Sequence, residues 1–134
     1  MVTQAEAGVR VVLEELIAAQ NAGDAKGMQA VLSQRGDSVF IGTDPGEWLT
    51  GPQVVGLMEQ AGEDPAEVTV SIVDVAVHVE GDGVAWASGR GLFRAADGRE
   101  RPVRLSVVLV REAGRWRVVH VHASVGLPDS DLLA

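Results

Sequence analysis

The chain has 134 residues, enough for one domain with a single sizeable core, and its 46 % hydrophobic and 22 % charged composition is that of a globular protein. A net charge of −8 disfavours nucleic acid, because an acidic surface repels phosphate backbones. The absence of cysteine excludes disulfides, thiol nucleophiles, iron–sulfur clusters and most structural zinc sites.

Residues 3–20 read as an amphipathic helix, with Val9, Val12, Leu13, Leu16 and Ile17 at helical spacing and Glu14 and Glu15 off the stripe. Asn21-Ala22-Gly23-Asp24 stops it, and Asp24 is placed to cap a second helix that runs to about Leu32 and buries Met28, Val31 and Leu32. A short strand from Ser38 to Gly42 leads into the irregular loop "GTDPGEWLTG". Thr50-Gly51-Pro52 starts a third helix, since proline suits the first helical position, and the helix should end near Gln60, before Gly62-Glu63-Asp64-Pro65.

From Glu67 the pattern changes to long strands over roughly 67–79, 84–95, 100–111 and 115–125. The joints Gly81-Asp82-Gly83, Ala96-Asp97-Gly98 and Glu112-Ala113-Gly114 are hairpin-length and rich in turn residues. The order α-α-β-α-β-β-β-β, with helices segregated from an antiparallel sheet, defines an α+β fold.

Alternation gives each long strand an apolar and a mixed face. Val73, Val75, Val77 and Val79 oppose Ile72, Asp74, Ala76 and His78, and Ala85, Ala87, Gly89 and Phe93 oppose Trp86, Ser88, Arg90 and Leu92. Val103, Leu105, Val107 and Leu109 oppose Arg104, Ser106, Val108 and Val110, while Val119, Val121 and Ala123 oppose Trp116, Val118, His120, His122 and Ser124. If the mixed faces coincide, one side of the sheet gathers Asp74, Ser88, Arg90, Arg104, Ser106, His120, His122 and Ser124 among apolar walls. Such a face lines a pocket for a small anionic or carbonyl-bearing ligand, or its arginines point to solvent at a rim. A single β-bulge would reverse the parity beyond it.

Three stretches carry a family resemblance. "LIAAQNAGDAKGMQAVL", "VFIGTDPGEWLTGPQVV" and "REAGRWRVVHVHASVGLP" resemble, in turn, the first-helix ending, the pocket loop and the last hairpin of the nuclear-transport-factor-2-like superfamily. That group includes the SnoaL-like polyketide cyclases and the ketosteroid isomerases, and the last hairpin is closest to the association (hub) domain of calcium/calmodulin-dependent kinases. The resemblance covers nearly the whole chain and implies one SnoaL-like domain over residues 1–134. It implies a curved antiparallel sheet wrapped with the N-terminal helices into a cone with an internal pocket, a cystatin-like roll.

The resemblance also supplies a candidate base. Asp44-Pro45 follows the first strand, where ketosteroid isomerases carry their general base in a similar context, although Asp before Pro-Gly also readily forms a turn. The rest of that machinery is missing: the oxyanion tyrosine matches Leu16, and its aspartic acid partner matches about Ser106. Glu47 and Trp48 complete the loop, with Trp48 either covering the pocket or packing the loop onto the third helix. His120 and His122, with Asp44 or Asp74 as a distant third, fall short of the three or four ligands a metal needs. They form a hydrogen-bonded seam that contacts a ligand or fixes the sheet.

The expected protein is a SnoaL-like small-molecule binder without cofactor or metal. It would act, if it is an enzyme, by proton transfer or hydrolysis, with Asp44 as base and Glu47, Trp48, Trp86, Ser88, Arg90, Arg104, Ser106, His120, His122 and Ser124 as ligand-binding groups. The alternative is a non-catalytic, hub-like oligomerisation module. The long apolar sheet face points to a homodimer. No run approaches the ~18–20 apolar residues of a membrane span, and "MVTQAEAGVRVV" lacks the features of a signal peptide, so no membrane contact and a cytoplasmic location are expected.

Overall fold

The computed structural model describes residues 1–62 and 64–134. Helix α1 spans Gln4–Ala22; Thr3 caps it by accepting a hydrogen bond from the Glu6 amide, and Gly23 closes it with φ 66°. Helix α2, Ala25–Val31, is capped by Asp24, whose carboxylate accepts from the Gly27 amide. Helix α3, Gly51–Ala61, begins with a full capping box, Thr50 and Gln53 each bonding the other's backbone. The expected breaker follows it, but Glu63 lies outside the described residues.

Six strands form one sheet: β1 Val39–Ile41, β2 Trp48–Thr50, β3 Val68–Glu80, β4 Val84–Ala95, β5 Glu100–Glu112 and β6 Arg115–Ser124. Their order is β2-β1-β6-β5-β4-β3. The long strands match the sequence expectation to within a residue or so. Two differences concern the loop side. The "GTDPGEWLTG" segment contains strand β2, which pairs with β1, and β1 runs parallel to β6 (Val39 beside His120, Ile41 beside His122), so the sheet is mixed rather than wholly antiparallel. No helix among the described residues is long and apolar enough to cross a membrane.

The α+β architecture is as expected, with three helices laid on one face of the curved sheet. Val9, Leu13, Leu16 and Ala19 of α1, Met28 and Val31 of α2 and Val55 of α3 form one buried cluster with Ala85, Ala87, Val107, Leu109, Trp116, Val118 and Val121 of the sheet. Trp116 fills the end of this core nearest the β5–β6 hairpin, with the Arg111 guanidinium stacked 4.5 Å from its ring centroid.

Two bulges set which side chains join the core, and both correct the parity read from the sequence. In β3 the register slips between Ile72 and Asp74, so Ile72 faces inward with Val75 and Val77 while Val73 stands out, 78 % exposed. In β6 the pairing skips Val119, so Trp116 and Val118 share the inner face with Val121 and Ala123. An extra residue in one strand shifts every later side chain to the other face, and strict alternation cannot show it. Opposite the β3 bulge stands Gly91, on the inner face of β4. A Cβ there would run into the Ser71 carbonyl oxygen, so only glycine lets β3 fold this closely over β4.

Polar side chains fasten the margins. Asn21 donates from Nδ2 to the Val70 carbonyl (2.8 Å) and accepts from the Val70 amide at Oδ1 (2.9 Å), tying the end of α1 to the edge strand β3. At the other end the Glu112 carboxylate accepts from the Ser33 hydroxyl (2.5 Å) and the Gln34 amide (3.1 Å). The Ser33 bond, assisted by the Gln34 amide and the charges of Arg117 and Arg35, holds the Glu112 carboxyl below its ordinary value of 4.5 against the opposing effect of burial.

Two outcomes follow from these contacts. Gly91→Ala should cost about 1–3 kcal/mol in urea unfolding, the usual range for forcing extra atoms into a filled space. Because the Glu112 pKa is depressed in the fold, its contribution is present above 4.5 and lost as pH falls through the folded value. Glu112→Gln should therefore lower the melting temperature at pH 7 and narrow its gap from the parent in melts carried down towards pH 3.

Candidate functional site

At the end of the cone opposite Trp116, the helices and sheet part around a cavity of about 580 Å³. Leu16 and Ile17 of α1 and Met28 of α2 line one side, and Val54, Leu57 and Met58 of α3 another. The sheet supplies Phe40 and Leu49, Val103 and Leu105, Val121 and Ala123, and the bent ends of β3 and β4 bring Val68, Val70 and Phe93 over it. The cavity is therefore the continuation of the core where the helices no longer fill the sheet's inner face. Its volume and apolar walls are those of a small-molecule site.

Polar groups on the lining are few: Gln20 of α1, Thr43 and Glu47 of the β1–β2 loop, and Arg101 near the start of β5. Glu47 lies folded back over its own loop, with Oε1 accepting from the Asp44 amide at 3.0 Å. Gly42 permits this posture, since a Cβ at position 42 would collide with the Glu47 carboxylate. Asp44 is not on the lining. Its Oδ1 accepts from the Gly46 amide at 2.8 Å, the turn geometry open to an Asp before Pro-Gly. Trp48 is 70 % exposed and also off the lining, so it does not cover the cavity.

The histidine seam exists, but on the other side of the sheet. Ser88, Ser106 and His122 pair across β4, β5 and β6; Trp86, Val108 and His120 form the next row, and Arg90, Arg104 and Ser124 the row on the other side. All of these side chains alternate with the buried residues of the core and so face away from the helices, and none lines the cavity. Asp74 takes Arg90 in an ion pair at 2.6 Å, Arg104 donates to the Ser124 hydroxyl at 3.3 Å, and His78 stacks on Trp86 with centroids 4.4 Å apart. The structure thus brings the expected polar residues together, but corrects their place: of the expected loop and sheet groups only Glu47 reaches the cavity. The physical reason is that the apolar face both packs the helices and walls the cavity, leaving the mixed face to the outside. Arg101 was legible, because it shares parity with Val103, Leu105, Val107 and Leu109 and is a charge at the head of an apolar file. Among the described residues no three His, Asp or Glu side chains converge to hold a metal ion.

A cone of three helices and a curved sheet around an apolar cavity defines a recognised class of small α+β domain. The chain belongs to the SnoaL-like domain family, whose model matches residues 9–128. Solved structures agree at the level of fold. An NTF2-like protein of unknown function from Pseudomonas putida superposes with a TM-score of 0.79 at 22 % identity, over 96 % of this chain and 92 % of that one. An uncharacterized protein with a cystatin-like fold from Caulobacter vibrioides gives 0.72 at 16 % identity, over 96 % and 94 %. An NTF2-like protein from Cytophaga hutchinsonii gives 0.73 at 15 %, over 92 % and 99 %. No curated protein matches the chain.

The Asp44 turn can be tested directly. Asp44→Ala, which deletes the acceptor for the Gly46 amide, should lower stability by about 1 kcal/mol in urea unfolding, while Asp44→Asn, which keeps an acceptor, should stay near the parent.

Proposed function

We propose that this SnoaL-like chain binds a small organic molecule in the apolar cavity. The cavity itself carries the reading: about 580 Å³ of space walled by aliphatic and aromatic side chains, with a handful of polar groups at its margin. Burying a ligand there recovers the transfer free energy of apolar surface, roughly 25 cal/mol per Å². If the bound molecule also undergoes proton transfer, the group within reach is Glu47 rather than Asp44, because among the described residues Glu47 is the carboxylate on the lining.

The neutral fluorophore N-phenyl-1-naphthylamine is the probe of choice. Saturable one-to-one enhancement of its emission is expected, and it should vanish in Ala123→Phe, which fills the cavity from β6, with the circular dichroism spectrum retained. A parent protein that gives no saturable signal would sink the binding reading.

We also infer a homodimer through the outer face of the sheet. Val84 and Trp86 of β4 stand beside Val110 and Val108 of β5, and Val84 and Trp86 remain 41 % and 44 % exposed in the single chain. The same face carries both signs of charge, Asp74 paired with Arg90 beside Arg104, so it does not repel a second copy by charge alone. Sedimentation velocity should give a dimer for the parent and a monomer for Trp86→Glu. A ring of ten or more subunits would favour the hub-like assembly reading, and a monomeric parent would end both.

A further inference from the structure

We propose that the ligand of this cavity is an amphiphilic anion, a carboxylate with an apolar body, whose charged head is held by Arg101. The proposal rests on the cavity being a binding site and adds the chemistry of what binds. Arg101 is the cation on the lining, and it stands at the cavity's rim, ahead of Val103 and Leu105 on the same face of β5. Its neighbours are otherwise engaged: Glu100 bonds Arg94 at 3.1 Å, and Asp97 bonds Arg99 at 2.7 Å. Arg101 itself donates only to the Glu100 carbonyl, at 3.3 Å, and has no ion-pair partner among the described residues. A guanidinium with all but one of its donors free at the mouth of an apolar chamber is suited to a planar carboxylate.

Glu47, the other charge on the lining, does not oppose this placement. Gly42, which bonds the Glu47 carbonyl, extends β1 one residue past the Ile41–His122 pair, in line with Ala123 and so with Leu105 of β5. Arg101 is four residues further along β5 and two strands over, roughly 17 Å of sheet from that point. The Glu47 carboxylate is also tied to its own loop through the Asp44 amide. The cavity therefore has a positive rim and a negative rim with an apolar span between them, and a single-headed anion fits with its charge at Arg101 and its body towards Leu16 and Met28.

The test is displacement of N-phenyl-1-naphthylamine by decanoate, decan-1-ol and decyltrimethylammonium, three probes with the same chain and different heads. Decanoate should displace the dye at concentrations roughly tenfold or more below those needed for decan-1-ol, the size expected for a charge-assisted hydrogen-bonded head. Arg101→Gln should erase that difference and Arg101→Lys should keep most of it, while Arg115→Gln, at the far end of the sheet, should change nothing. Lengthening the carboxylate by one methylene should tighten displacement about fourfold while the cavity has room. Equal displacement by decanoate and decan-1-ol, or a preference for decanoate that survives in Arg101→Gln, would overturn the assignment, and so would failure of all three to displace a dye that binds. Each of those results leaves the cavity reading standing, because the dye reports it separately; a parent that never binds the dye removes both.

Discussion

The Ser71 carbonyl occupies the space where a side chain at position 91 would stand, and this close approach shapes what surrounds it. It lets β3 fold tightly over β4, and the bulge at Val73 beside it turns the strand so that Ile72 and Val75 both face the helices. The bend carries Val68, Val70 and Phe93 over the end of the sheet. Where α1 and α2 press on the flatter part, the inner face is core. Where the sheet curls beyond their reach, the same face is cavity wall. Core and cavity are thus one apolar surface divided by how far the helices extend.

Much of this was legible from the residues. The long strands announced themselves by alternation and by glycine-bearing joints, and the helix starts by Asp24 and by Thr50-Gly51-Pro52. Strand β2 was not legible: three residues, Trp48-Leu49-Thr50, are strand only because β1 lies beside them. The faces were misjudged for a different reason. Bulges at Val73 and Val119 reverse the parity where two apolar residues stand side by side, Ile72-Val73 and Val118-Val119, a doublet that strict alternation passes over. The polar groups expected at the site do lie together on the mixed face, but away from the cavity, for here the apolar face makes the chamber and the mixed face is the outside. A bent sheet is a tertiary fact, and which side it bends towards is not written in alternation.

The sparing use of polarity inside the cone has an energetic reason. A charged group at the centre of an apolar chamber costs several kcal/mol unless it is paired and hydrogen-bonded. Glu47 and Arg101 avoid that cost by standing at the margins, Glu47 on a loop and Arg101 near a strand end. Such an arrangement keeps the interior apolar and its charges at the rim. It also suits a fold on which varied functions are built, since rim residues can change without disturbing the core.

The tie between Asn21 and Val70 bears on how this chain behaves in a crowded solution. Strand β3 is an edge, and an edge with free amides and carbonyls is a template on which another chain can add a strand. Here α1 lies along it: Asn21 consumes both backbone groups of Val70, Arg10 reaches the Val75 carbonyl at 3.4 Å, and the bulge at Val73 interrupts the stretch between them. The opposite edge, β2, offers only three residues. The sheet's margins are thus short at β2 and partly occupied along β3, which limits the addition of a further strand at either edge.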